Sequence, residues 1–248
     1  MKPLKHGILF LFIPLLALVF SCSARIDGVV SEGGAADITI STSLEPKTQA
    51  LISSLRNFMG TGEAVEGPIL DGPAMARSMA VAPGVKKVTL KNTGPSALEG
   101  TISISRVGDF LSAEAAGSSV PGGARFITYT EGRTAGTSSI VITLDRDSAP
   151  DLISRLSPEV NDYLSALMAP AVTGDICTGK EYLDLVASVY GRPLAEEINS
   201  AKIRASIEFP RPVSSAQGGK VTGKRVDFEV PLLDILVLDK TLLYNVSW

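Results

Sequence analysis

The chain is short of the residues that run most enzyme chemistry. Its 248 residues include a single histidine, His6. His6 falls inside an amino-terminal stretch with the pattern of a cleaved leader, so the mature protein is expected to have none. That excludes Ser-His-Asp and Cys-His triads, histidine-containing zinc sites and the usual general base near neutral pH. Cysteine is almost as scarce, with Cys22 and Cys177 alone. No disulfide framework is available, and a chain this long buries roughly 70% of its unfolded surface without one. Aromatic residues make up only 6% of the sequence, little for a carbohydrate-stacking platform. No long block of one charge sign occurs. Nucleic acid is therefore not an expected partner, since such binding rests on clustered cations that neutralise phosphates.

Motifs are missing as well. There is no phosphate-cradling G-x-x-x-x-G-K-[ST], no G-x-S-x-G elbow, no paired C-x-x-C and no S-x-x-K. Asp145-Arg146-Asp147 opens like a calcium loop, but Pro150 stands where that loop needs glycine. Asp147-Ser148 ahead of Ala149-Pro150 reads better as a helix entry. The sequence thus offers no metal site, no cofactor site and no catalytic residue.

What is present begins with the leader. Lys2 and Lys5 precede an uncharged run of 13 residues from Ile8 to Phe20, closed by Ser21-Cys22. The order of basic start, apolar run and small residue is the secretory pattern. The run is short of the roughly 20 residues that span a bilayer as a helix, and Pro14 interrupts it. Val19-Phe20-Ser21-Cys22 resembles the lipobox of bacterial lipoproteins, in the relaxed form seen in spirochaetes; Phe20 departs from the strict pattern. The resemblance implies removal of residues 1–21 and diacylglycerol on the Cys22 sulfur, usually with a further acyl chain on the new amino terminus. Several chains on one residue make a stable anchor. Cleavage after Ala24 by ordinary signal peptidase is the alternative. Of the 23 Lys+Arg, Lys2 and Lys5 leave with the leader, so 21 face 26 Asp+Glu and the mature net charge is −5. With Cys22 lipidated, Cys177 is either a small buried apolar residue or a free thiol.

Residues 22–248 read as one α+β domain, with a mainly antiparallel sheet, hairpins and a cluster of amphipathic helices. Ile26–Ser31 and Ala36–Leu44 form an expected hairpin about Gly33-Gly34, and residues 46–59 shift to helical spacing. Asp71 starts a helix over Pro73–Ala82. Val85–Asn92 and Ala97–Val107 form a second hairpin, and Ala124–Thr130 with Ser139–Asp145 a third. Residues 112–124 read as a flexible loop and the one candidate boundary, although a single continuous sheet is expected. Ser157-Pro158-Glu159 opens a helix carrying Val160, Tyr163, Leu164, Leu167 and Met168. Thr178 to Glu181 is a capping box leading into Tyr182, Leu183, Val186, Val189 and Tyr190. A short helix over Pro193–Ala201 and alternating strands at Lys202–Phe209, Val226–Val230 and Leu242–Trp248 complete the chain. About eight or nine strands and four or five helices are expected.

Two features remain as candidates for function. Asp71, Asp109, Asp162, Glu181 and Asp234 are the acids that interrupt apolar surroundings and could pair as in glycoside hydrolysis. Helix capping or a wet helix face accounts for Asp71, Asp162 and Glu181. An exposed turn is the simpler role for Asp109 and Asp234. The second is the run 230–238, nine residues with one charge. It is either a buried strand or core helix, or one wall of an apolar cavity or contact patch.

Cys22 followed by the strand Ile26–Ser31, a glycine turn, the strand Ala36–Leu44 and the helix Lys47–Met59 resembles the LppM-like envelope lipoproteins. The resemblance covers about 40 residues and carries no site motif. It implies an α+β domain held at a membrane and binding a lipid-like ligand. The function expected for the whole chain is non-enzymatic binding of a lipid-like ligand or a partner envelope protein, with a structural or assembly role without a small ligand as the alternative and a carboxylate-based hydrolase third. The expected location is the bacterial cell envelope, on its periplasmic or surface face.

Overall fold

Gly33 and Gly34, at φ 84° and 78°, turn the chain between its first two strands, where a side chain would be strained. The turn is closed by Ser31 N donating to Ala35 O at 2.7 Å. It joins β1 (Ser23–Val30) to β2 (Ala36–Ser43) in an antiparallel pair running from Ser23↔Ser43 to Val30↔Ala36. The computed structural model describes residues 23–59, 68–116, 127–134, 137–149 and 175–248. Cys22, Asp162 and the expected helix opening at Ser157 lie outside them.

Helix α1 (Pro46–Met59) follows β2. Its first turn has no acid, and the Glu197 carboxylate supplies the cap, accepting from Lys47 N at 3.0 Å and Thr48 N at 2.9 Å. Asp71 caps α2 (Gly72–Ala80), accepting from Ala74 N. β3 (Val85–Gly94) and β4 (Ala97–Ile104) form the second hairpin, with bulges near both ends of β3. The expected strand to Val107 stops at Ile104, because Val107 starts α3 (Val107–Ala116). This helix takes in residues 112–116 of the expected loop; Ser112, Ala113, Glu114, Ala115 and Ala116 are all compatible with a helix end.

β5 (Ile127–Thr130) and β6 (Ser139–Leu144) pair next. The Thr178/Glu181 capping box is fully formed at the start of α4 (Gly179–Tyr190), with both reciprocal hydrogen bonds made. Then come α5 (Arg192–Ser200), β7 (Lys202–Glu208), β8 (Ser215–Gln217), β9 (Gly219–Thr222), β10 (Arg225–Pro231), α6 (Leu232–Val237) and β11 (Leu242–Ser247).

The described residues hold 11 strands and 6 helices, an α+β fold dominated by sheet. Two sheets form instead of the one expected. The seven-stranded sheet has the order β3-β4-β2-β1-β7-β10-β9, and the four-stranded sheet β5-β6-β11-β8. β1 and β7 pair in parallel, while every other pairing is antiparallel. Strands after residue 200 enter both sheets, and Gly218, at φ 79°, turns the chain from β8 in one to β9 in the other.

Ile40, Leu98, Ile102 and Val226 from the inner sheet face share one core with Ile52, Met79, Val186 and Ile198 from the helices. The run 230–238 enters this core. Leu232, Ile235, Leu236 and Val237 of α6 and the following Leu238 are buried, and α6 packs on α4, α5 and β10. It is a core helix, the first of the two readings the run allowed, and not a cavity wall. Val189 and Tyr190 depart from their expected place. Helical spacing placed them inward, yet they are 62% and 47% exposed; α4 buries Tyr182 and Val186 and lays Leu183 and Ala187 against the core edge, which leaves its last turn outside.

Candidate functional site

Alternation along the strands of the seven-stranded sheet sends one set of side chains to the core and the other to solvent. The registers align the solvent set into rows across the sheet. In one row Thr89, Thr101, Thr39, Asp27, Ser206, Asp227 and Lys220 stand side by side from β3 to β9. In the next, Lys91, Glu99, Ser41, Arg25, Arg204 and Glu229 do the same. Hydroxyls fill the β3–β4–β2 end of the first row, and charges of both signs gather from β1 to β9.

Between β1 and β9 the rows bound an open groove of about 440 Å³, lined by Arg25, Asp27, Arg204, Lys220, Asp227 and Glu229 among others. Its floor is strand backbone at Ile26, Ala205 and Phe228, whose side chains leave on the core face. Arg25 and Arg204 are register partners, and like charges placed opposite each other repel. Each is offset by an acid. Arg25 forks onto Asp27 at 2.6 and 3.2 Å, and Arg204 Nε donates to Glu229 at 3.2 Å. Lys202 also reaches Glu229, at 2.6 Å, and Arg225 reaches Asp227 at 2.9 Å. Exposed pairs of this kind add little to stability, being screened and entropically costly.

These contacts fix protonation states. Hydrogen bonds from Ser206 and then Arg225 hold the Asp227 carboxyl below the usual carboxylate range. Lys202 and then Arg204 do the same for Glu229. Both therefore stay ionised, whereas a general acid at neutral pH needs a carboxyl pushed upward. The groove can recognise charge.

The five candidate acids are not assembled into a site. Asp71 is a helix cap, and Asp162 is outside the described residues. Glu181 is committed to the Thr178 box, whose hydrogen bonds lower its acidity range. Asp109 is in the exposed first turn of α3, 3.8 Å from Arg106 Nε, and Asp234 in the first turn of α6 pairs with Lys240 at 3.1 Å. The two helices pack on different neighbours, α3 on β5 and α6 on α4, α5 and β10.

Ala149 is helical directly after Asp147-Ser148, where a helix entry was expected, and Asp145 closes the turn leading into it. The Asp145 carboxylate accepts from Ser148 N, and Ser148 Oγ accepts from Asp145 N, both at 2.9 Å. Among the described residues no group of three or more His, Cys, Asp or Glu is placed to hold a metal. Cys177 is a free thiol, half-buried against the core edge. Burial first, and then the Glu181 charge, push that thiol up and keep it protonated.

The groove had one visible trace in the sequence, the alternation Lys202, Arg204, Ser206, Glu208. It reads as an ordinary wet strand face until the registers bring Arg25 and Asp227 beside it.

Fold and site together define an α+β domain with one apolar, helix-covered sheet face and one solvated face of mixed charge. No family model matches the chain, and no curated protein matches it. Among solved structures it is similar to the folded domain of LppM from Mycobacterium tuberculosis, determined by NMR, with a TM-score of 0.38 and 10% identity. The match covers 91% of this chain and 87% of that one. At that score and identity the similarity transfers no residue role to this chain. No helix of the described residues is long and apolar enough to cross a membrane.

Proposed function

We propose that the chain is a non-enzymatic lipoprotein of the bacterial cell envelope, held to a membrane by acyl chains on Cys22, with residues 22–248 acting as one unit. Its working surface is the groove on the charged sheet face, which takes an anionic group of a partner. The observation that carries the binding reading is the state of the groove's cations. Arg204 uses only Nε, on Glu229, among the described residues, and Lys220 makes no ion pair within 4 Å there. Guanidinium and ammonium donors left free beside a backbone floor suit a carboxylate or phosphate.

A partner protein would present such a group on a side chain, and a lipid-like ligand would present it in its headgroup. The burial of the 230–238 run favours recognition of the polar part in either case. The test is native mass spectrometry of the protein released gently from its own membranes, beside an Arg204→Glu, Lys220→Glu variant. The proposal predicts an added mass on the wild type, of protein or of lipid, that the variant loses. Added mass retained by the variant, or none on either protein, would overturn the groove as the binding surface.

A further inference from the structure

The anchor and the sheet meet without a spacer. Ser23, the residue after Cys22, is already paired on both sides, with Ser43 of β2 and Lys202 of β7. β1 is also the middle strand of the seven, with three neighbours to either hand. One Cα–Cα step of about 3.8 Å separates Ser23 from the acylated residue. The headgroup layer of a leaflet is itself only about 5–7 Å deep. Acyl chains inserted from Cys22 therefore bring the end of the central strand down to the headgroups, with no slack for the domain to swing clear.

From this we infer that one end of the seven-stranded sheet is a membrane-contact surface, seated on phospholipid headgroups; the inference rests on lipidation of Cys22. The registers name the end. Ser23 faces Ser43, Ser43 faces Ala97, Ala97 faces Gly94, and on the other side Ser23 faces Lys202, which faces Pro231. The exposed residues around it are Glu45 and Lys47 after β2, Pro95 in the β3–β4 turn, and Ser200 before β7. The mixture is close to neutral, so the tether seats the surface rather than attraction to anionic lipid. Because the tether is central, tilting the sheet either way lowers a flanking strand end onto the bilayer. The Gly33-Gly34 turn points away, roughly 25 Å up at about 3.3 Å per strand residue. The groove's walls then stand upright and open sideways, clear of the headgroups at their upper end.

The edge strand β3 provides its own ruler. Thr93 and Lys86 are both exposed, both at bulge positions, and at opposite ends of the strand. In a Cys177→Ser background, Thr93→Cys and Lys86→Cys variants of the full lipidated protein would be labelled with a fluorophore. They would then be reconstituted in phosphatidylcholine vesicles carrying a headgroup-attached nitroxide quencher. Quenching several-fold stronger at position 93 than at position 86 supports the inference, as does loss of that difference when a flexible twelve-residue spacer is inserted between Cys22 and Ser23. Equal quenching in a protein whose mass shows acylated Cys22 overturns the seating while leaving the anchor standing. A mass without acyl chains overturns both.

Discussion

Trp248 stacks on Phe209, with ring centroids 4.4 Å apart and the planes inclined by 32°. Phe209 directly follows β7 of the larger sheet, and Trp248 directly follows β11 of the smaller one. The same tryptophan exchanges backbone hydrogen bonds with Ser138, at 3.0 and 3.3 Å, and is 3% exposed. One residue thus joins the two sheets. Trp248→Ala should destabilise the protein by about 3–5 kcal/mol, as expected for deleting a buried large aromatic. A urea unfolding curve would show the midpoint shift, and a shift below about 1 kcal/mol would mean the sheets do not depend on this contact.

Leu236 in α6 is 1% exposed. Leu236→Ala should cost about 2–5 kcal/mol, as a leucine-to-alanine cavity does. An unfolding midpoint that stays at the wild-type value would mean that the 230–238 run borders open space after all.

Gly100 in β4 sits where an added Cβ would meet the Thr89 carbonyl oxygen at 1.9 Å, and that oxygen belongs to strand backbone. At Gly28 the added Cβ would meet only the tip of the Ile207 side chain, at 2.8 Å. Gly100→Ala is therefore expected to abolish folding or expression, and Gly28→Ala to be tolerated with a modest loss. Thermal melts of both variants would check the contrast; equal behaviour would contradict it.

Acid should weaken the fold through identified groups. Glu181, Asp227 and Glu229 all have carboxyls lowered in the folded state by hydrogen bonds, from Thr178, from Ser206 and Arg225, and from Lys202 and Arg204 respectively. A lowered folded-state value gives stability that is complete above the unfolded carboxylate range and lost as pH falls through the folded value. Unfolding followed from pH 7 downward should therefore show a decline confined to the acid side. Glu229→Gln should flatten it, and a pH profile identical to wild type would remove that residue from the account. Thr178→Ala, which breaks the cap of α4, should cost about 1 kcal/mol.

Local rules carried much of the fold. The Gly33-Gly34 hairpin, the Asp71 cap, the Thr178/Glu181 box and the alternation at Lys202–Phe209 all rest on neighbours within a few residues. What escaped depends on distance in the chain. β8 and β9 are three and four residues long and polar, too short to show strand alternation within Ser215–Thr222. The cap on α1 comes from Glu197, 150 residues beyond Lys47. α3 hid because small residues suit a helix end and a loop equally well. The groove escaped for the same reason as the second sheet: pairing Arg25 with Arg204, and Asp27 with the Ser206–Asp227 row, is a matter of register, which no single strand contains.

The central claim is that Cys22 carries the protein to a membrane. Intact mass and membrane partitioning of the natively expressed protein, beside a Cys22→Ala variant, test it most directly. The account predicts a mature chain starting at Cys22 with added acyl mass, recovered in membranes, and a variant that leaves them. An unmodified chain starting at Arg25, equally soluble with and without the substitution, would contradict it.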